Sequence, residues 1–411
     1  MAGGLMQLVA YGAQDVYLTG NPEVTFYQAK YKRHTNFAME NIEQTLNGNP
    51  GNSGRVSVTV ARNGDLVGDM YVQLKTAASG GSAMWAAERA ISSVELSIGG
   101  QRVDKQYQKW WRLYTELHLD EAKKATYGKM TSAGNAKTVF LPLLFFFNRN
   151  PGLYLPLIAL QYHEVRIDFD LAGDMTTYLD QNVFKVWANY IYLDTEERRR
   201  FAQKGHEYLI EQVQHTGVDT VDGTNGGTKQ IRLSYNHPVK ELVWCLAGTG
   251  AASLWHFGKG STAPTLALGP ADPAVAASYL PITAATGAPV VATGGTGALT
   301  WTEESEGAME EFKLVLNGQD RFKAQDGKYF NQVQPFNHHS GCPFPGVYAY
   351  SFALKPEEHQ PTGTCNFSRI DNAQVSIKTV ASSDATNLHM FATNYNVLRI
   401  QSGMGGLAFS N

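Results

Sequence analysis

Apolar and polar residues alternate with a period of two along Arg55-Val-Ser-Val-Thr-Val60, Glu164-Val-Arg-Ile-Asp-Phe169 and Gln374-Val-Ser-Ile-Lys-Thr379. Successive side chains of a strand point to opposite faces, so this alternation predicts sheets with one buried and one wet side. The run Phe140-Leu-Pro-Leu-Leu-Phe-Phe-Phe147 is apolar throughout and reads as a buried strand. Forty glycines and sixteen prolines punctuate the chain at short intervals, which points to sandwiches or barrels rather than to an α/β domain. Two segments break the pattern. Residues 104–125 place Trp110, Leu113, Tyr114 and Leu117 at helical spacing, predicting a short amphipathic helix in a loop, its aromatics serving packing. Asp194-Thr-Glu-Glu197 followed by Arg198-Arg-Arg200 reads as a capping box opening a linker helix, with a phosphate site on the arginines as the sharper alternative.

Three short blocks recur in the same order in the two halves. Asn63-Gly-Asp-Leu-Val-Gly-Asp-Met-Tyr-Val-Gln-Leu74 is echoed by Asn236-His-Pro-Val-Lys-Glu-Leu-Val-Trp-Cys-Leu246. Val94-Glu-Leu-Ser-Ile-Gly-Gly-Gln101 returns as Phe312-Lys-Leu-Val-Leu-Asn-Gly-Gln319, and Val186-Trp-Ala-Asn-Tyr-Ile-Tyr-Leu193 as Phe391-Ala-Thr-Asn-Tyr-Asn-Val-Leu398. Repeats in register order predict tandem copies of a fold of roughly 170 to 200 residues, an ordinary domain size. The resulting division is an N-terminal arm over 1–24, one sandwich over 25–205 and a second over 206–411. The tract 247–300 is rich in Ala, Gly, Thr, Pro and Ser, holds little to bury, and is expected to be a long surface loop of the second copy.

Composition narrows the function. A net charge of −3 with mixed signs lacks the basic footprint of a nucleic-acid binder, so no direct contact with nucleic acid is expected. Cys245, Cys342 and Cys365 are too few and scattered for a disulfide framework and read as buried thiols in a reducing compartment. No apolar stretch reaches the length of about 20 residues that a spanning helix needs, and the uncharged lead lacks a secretory pattern. Chemistry is equally sparse. There is no His-x-His pair for a barrel metal site, no His-Glu-x-x-His and no Walker loop, and the adjacent His338 and His339 would face opposite sides of a strand. Gly258-Lys-Gly-Ser261 is a weak phosphate-loop signal, and Cys342 beside His338 or His339 a weak nucleophile and base pair. No catalytic residue, metal or cofactor is assigned. Asn366, in Asn366-Phe-Ser368, opens the only N-glycosylation sequon and is the single modification candidate.

Longer strings carry a resemblance. They are Ala2-Gly-Gly-Leu-Met-Gln-Leu-Val-Ala-Tyr-Gly-Ala-Gln-Asp-Val-Tyr-Leu-Thr-Gly-Asn-Pro22, Leu155-Pro-Leu-Ile-Ala-Leu-Gln-Tyr-His-Glu-Val-Arg-Ile167 and Gly346-Val-Tyr-Ala-Tyr-Ser-Phe-Ala-Leu-Lys-Pro-Glu357. Pro361-Thr-Gly-Thr-Cys-Asn-Phe-Ser-Arg-Ile-Asp-Asn372 and Ala392-Thr-Asn-Tyr-Asn-Val-Leu-Arg-Ile-Gln-Ser-Gly-Met-Gly-Gly-Leu-Ala-Phe-Ser410 complete the set. Almost end to end, the chain resembles the major capsid proteins of large icosahedral double-stranded DNA viruses of algae, the phycodnavirus and chlorovirus type. The resemblance implies an all-β fold of two tandem eight-stranded antiparallel jelly rolls, with short helices in loops and at the linker. It also implies a non-enzymatic homotrimer that forms a pseudo-hexagonal block of a virion shell and is assembled in the host cytoplasm. Its implied partners are copies of itself, neighbouring capsomers, minor capsid proteins and, through the N-terminal arm, the inner membrane side. The rival readings are a carbohydrate-binding or carbohydrate-cleaving jelly-roll protein, and a minor paralogous capsid component.

Overall fold

The computed structural model describes residues 3–18, 20, 25–79, 85–248, 257, 266–267, 300–301, 307–341, 343–381, 383 and 385–409. Most of the 247–300 tract, and Cys342, lie outside them. Contacts divide the chain into a short unit, Met1–Phe37, and a large one, Ala38–Asn411. The short unit carries α1 (Gly3–Val9), whose Leu5, Met6, Leu8 and Val9 are exposed. Among the described residues no helix is long and apolar enough to cross a membrane.

The large unit is built from two sandwiches. The first contains β1 (Phe37–Gln44), β2 (Arg55–Thr59), β3 (Leu66–Thr76), β4 (Ile91–Ile98), β5 (Gln101–Tyr107), β6 (Thr138–Pro142), β7 (Val165–Leu171) and β8 (Leu179–Leu193). One of its sheets runs β1-β8-β3-β6 and the other β2-β7-β4-β5, every pairing antiparallel. The second contains β9 (His206–Thr220), β10 (Gly227–Leu233), β11 (Pro238–Ala247), β12 (Met309–Leu316), β13 (Gln319–Asp320), β14 (Val347–Ser351), β15 (Ala373–Thr379) and β16 (Asn387–Gln401). Its sheets run β9-β16-β11-β14 and β10-β15-β12-β13. Counted from each first strand the order is the same, 1-8-3-6 and 2-7-4-5, which is jelly-roll topology written twice.

The three echoed blocks fall on matching elements: β3 and β11, the hairpins β4–β5 and β12–β13, and β8 and β16. Both hairpins turn through two residues of positive φ, Gly99 and Gly100 in one, Asn317 and Gly318 in the other. That geometry suits the right-handed twist of paired strands and explains why glycine or asparagine stands at these positions in both copies.

Helices interrupt the sheets where the period of two fails. The single helix expected over 104–125 is replaced by three pieces: β5 runs on to Tyr107, α2 spans Gln108–His118 and α3 spans Glu121–Thr131. Asp120 makes the break, accepting the Lys123 amide at 2.8 Å as the cap of α3. The run 140–147 is strand only as far as Pro142, and Phe146–Arg149 forms a helical turn, because three consecutive buried phenylalanines need more than one sheet face to pack against. The linker helix α4 (Thr195–Gln203) is present, but Asp194 makes no side-chain cap bond. Arg198 instead reaches Asp65 at 2.9 Å, so this arginine is already engaged by a carboxylate. A π-helical turn over Tyr329–Val333 leads into α5 (Gln334–His338).

Candidate functional site

A sheet covered on one side alternates buried and wet positions, and a second body on the wet side abolishes the alternation. On β11, nine of ten residues are buried. Leu242, Trp244 and Leu246 fill the core of the second sandwich, where Trp244 stacks on Phe312 with ring centres 4.3 Å apart. Val243, Cys245 and Ala247 point the other way, into the core of the first sandwich, as do Val347, Ala349, Phe391, Leu398 and Ile400. Each buried Val, Leu or Phe side chain contributes about 1.5–3 kcal/mol, so the seam welds the sandwiches into one body.

The cover is α2. Residues three and four apart share a helix face, and Trp110, Tyr114 and His118 form such a row. Trp110 lies against Phe391 (5.6 Å), Tyr114 contacts Trp110 (6.1 Å), and His118 stacks on Tyr114 (4.5 Å). Trp111 faces inward: it is fully buried and its indole N–H donates to the Pro142 carbonyl at 2.9 Å. The helix thus serves the core of its own sandwich with one tryptophan and the seam with the other.

Polar groups close the seam at its ends. Glu241 of β11 is fully buried, with one carboxylate oxygen 3.2 Å from His118 Nε2 and the other 3.0 Å from His339 Nε2. Burial alone would push this carboxyl up, but His118 and then His339 outweigh it and hold it well below the ordinary glutamate value. The three ligand-type atoms lie within 4.8 Å of one another. Ser340 Oγ is 3.3 Å from the His118 carbonyl, and the Gly341 amide donates to the Leu117 carbonyl at 2.9 Å. A Cβ at Gly341 would stand 2.4 Å from the Glu116 carbonyl, so only glycine lets this loop approach α2 so closely.

Farther along, Glu211 of β9 accepts Lys240 Nζ at 2.7 Å and pairs with Arg149 of the first sandwich at 3.1 Å. Burial raises the Glu211 carboxyl, yet Arg149, followed by His359 and Lys240, carries it down to about 2. Asp104 of the first sandwich accepts the Val213 amide at 3.0 Å, and its burial raises it to about 6. Between these groups His215 stacks on Phe391 (4.5 Å) and His389 (6.0 Å), and burial lowers the two imidazoles to about 4 and about 3.

The residues singled out from sequence are scattered. Cys245 is buried and Cys365 half-buried, both as free thiols. Asn366 is exposed at the rim of a groove of about 350 Å³, its Oδ1 accepting the Ser368 amide at 3.0 Å. His338 and His339 do part company: His338 Nδ1 meets the Leu354 carbonyl at 3.0 Å, whereas His339 turns to Glu241. Sequence reasoning missed His118 and Glu241, which stand 123 positions apart and carry no spacing signal. The one hint is a glutamate inside the apolar run of β11.

The chain matches two family models: "major capsid protein N-terminus" over residues 25–194 and "large eukaryotic DNA virus major capsid protein" over 197–406. It is 44% identical to the major capsid protein of Paramecium bursaria Chlorella virus 1 and 42% identical to that of Pyramimonas orientalis virus, covering 100% of both chains in each case. Its structure is similar to a chain of the quasi-atomic PBCV-1 virus capsid, at 40% identity and a TM-score of 0.78, over 94% of this chain and 100% of that one. The Faustovirus major capsid protein, only 13% identical, shares the fold with a TM-score of 0.71 over 97% of this chain and 96% of that one. With a doubled jelly roll whose two sandwiches share a buried seam, the chain belongs to the major capsid proteins of large eukaryotic DNA viruses and is a structural component of the virion shell.

Proposed function

We propose that the chain acts as a homotrimer, three copies placing six sandwiches around one axis to give a pseudo-hexagonal building block. The observation that carries this reading is an asymmetry of burial between equivalent strands. In the second sandwich β11 is covered on both faces; in the first, the matching β3 leaves Asp69 exposed and Tyr71, Gln73 and Lys75 half-buried, and β1 is exposed along most of its length. The second sandwich also carries a counterpart of the α2 cover. Its helical segment between β13 and β14 presents Phe336, 87% exposed, with Val333 beside it, and Leu354 is exposed just beyond β14. Repeating the internal contact from one chain's second sandwich to the next chain's first is a head-to-tail arrangement, and such contacts close into rings when the rotation permits. Obligate interfaces of this kind bury on the order of 2,000–5,000 Å² and resemble a core cut in half.

Neighbouring trimers then tile the shell through their outer sides. The Met1–Phe37 unit, with the apolar side chains of α1 and with Phe26, Tyr27 and Tyr31 exposed, suits contact with minor capsid proteins and the inner membrane side. Assembly in the host cytoplasm agrees with free thiols at Cys245 and Cys365. Asn366 is the site at which an N-linked glycan would be sought.

Light scattering on the purified full chain is expected to give three times the 45.1 kDa chain mass, and negative-stain images a hexagonal outline. Phe336→Glu should yield folded monomers. Native chain that stays monomeric at micromolar concentration would refute the trimer, and an unaltered trimer in the variant would remove this face from the interface.

A further inference from the structure

Three side chains meet at the seam with the chemistry of a metal centre. His118 closes α2 of the first sandwich, Glu241 lies on the third strand of the second, and His339 follows α5. Two imidazole nitrogens and a carboxylate are a donor set suited to zinc, which takes nitrogen at about 2.0–2.1 Å and carboxylate oxygen at about 2.0–2.2 Å in tetrahedral sites. Ligand atoms around such an ion stand about 3.3 Å apart. His118 Nε2 stands 3.2 Å from one Glu241 oxygen and His339 Nε2 stands 3.0 Å from the other, so whichever oxygen serves as ligand already has one nitrogen near that spacing. The other two edges are each at most 4.8 Å, so closing each by about 1.5 Å or less completes the triangle.

Charge adds an independent argument. Glu241 is fully buried, and among the described residues it pairs with the two imidazoles. A carboxylate removed from water without a compensating cation costs several kcal/mol. A divalent ion held between the three side chains would supply that cation. The side chains are also held in place before any ion arrives. Tyr114 stacks on the His118 ring with planes 10° apart, and the 339–341 loop is pinned by the Ser340 and Gly341 contacts to the end of α2. The Ser340 amide further donates to Glu357 at 2.8 Å.

We infer that His118, Glu241 and His339 form a zinc site that staples the two sandwiches of one chain together, with water or another donor in the fourth position. Imidazole-rich sets of this kind favour late first-row divalent ions over calcium or magnesium. The ion's role is structural, and its ligands come from both sides of the seam, so binding energy becomes stabilisation of the joined body.

The test uses the full chain, stripped by chelator and reloaded with zinc chloride. Elemental analysis after gel filtration is expected to find one zinc per chain, and the melting temperature should rise on reloading. Glu241→Gln and His339→Asn should each weaken retention by more than the roughly 100-fold that loss of a mere supporting partner costs. If neither variant folds, cobalt substitution of the unaltered chain decides: a tetrahedral site gives intense visible absorption that zinc displaces. Unaltered chain that retains no zinc, shows no thermal response and gives no cobalt absorption would overturn the inference and leave a hydrogen-bonded clamp.

Discussion

Glu211→Gln is the sharpest probe of the seam. The substitution keeps volume and shape but removes a carboxylate that binds both Arg149, from the first sandwich, and Lys240, from the second. The Lys240 side chain is 2% exposed, so its ammonium would be left in the interior without its closest counter-charge. Breaking a buried pair from one side costs about 3–5 kcal/mol. The titration of Glu211 gives a second route. Its carboxyl lies at about 2 in the folded chain against 4.5 for an ordinary glutamate, and at about 1.36 kcal/mol per unit the folded environment favours the charged form by about 3 kcal/mol. A depressed carboxyl stabilises above the unfolded value and loses that contribution as pH falls toward the folded value. The penalty of Glu211→Gln should therefore be full at pH 7 and shrink below about 4.5. Urea unfolding at fixed protein concentration, followed by tryptophan fluorescence between pH 7 and 4, measures both quantities. A melting temperature lower by about 4–6 °C is the thermal counterpart for a body of this size. Adding Lys240→Met to the variant should restore part of the loss, since it removes the orphaned cation. A cost below about 1 kcal/mol at pH 7, or one that does not change with pH, would refute the reasoning.

Further consequences can be measured on the same material. His215 and His389 are held neutral by burial, so their contribution is complete above about 6.5 and is lost as pH falls through about 4 and about 3; Tm should drop between pH 7 and 5 by the equivalent of about 1 kcal/mol for each ring. Asp104, raised to about 6, has the opposite slope, so the comparison to make is with His215→Phe, which keeps the stack and should flatten the profile. Trp111→Ala should cost about 3–5 kcal/mol and orphan the Pro142 carbonyl, and Trp111→Arg should give insoluble chain rather than soluble monomer. Gly341→Ala should push the 339–341 loop off α2 at a cost of about 1–3 kcal/mol, seen in urea unfolding, because its Cβ would meet backbone rather than a yielding side chain. Deleting residues 261–296 should leave solubility and oligomer size unchanged by light scattering; insoluble product would show that the tract is structural.

The duplicated fold was legible because its signal is local. Period-two alternation and the turn pairs Gly99-Gly100 and Asn317-Gly318 act within one hairpin, and all three echoes fall on equivalent strands. The helical insert was less legible: a tryptophan-rich stripe looks alike whether it serves one core or two, and only the structure separates Trp111 from Trp110. The seam was not legible at all. Alternation predicts one wet face for β11, yet Val243 and Cys245 are as buried as Trp244, because the covering body comes from the other half of the chain. The strand argument separates His338 from His339, but His339 follows the last turn of α5, where neighbouring side chains diverge without alternating across a sheet.

The position of β16 has a consequence for biosynthesis. It lies between β9 and β11, so the second sandwich cannot join those two strands until one made well after both has left the ribosome. By then the whole of the first sandwich, α2 included, has already been synthesised. An unfinished polypeptide lacks both the middle of that sheet and the surface that Phe391 offers to Trp110, so a chain cut short before β16 cannot form this part of the seam.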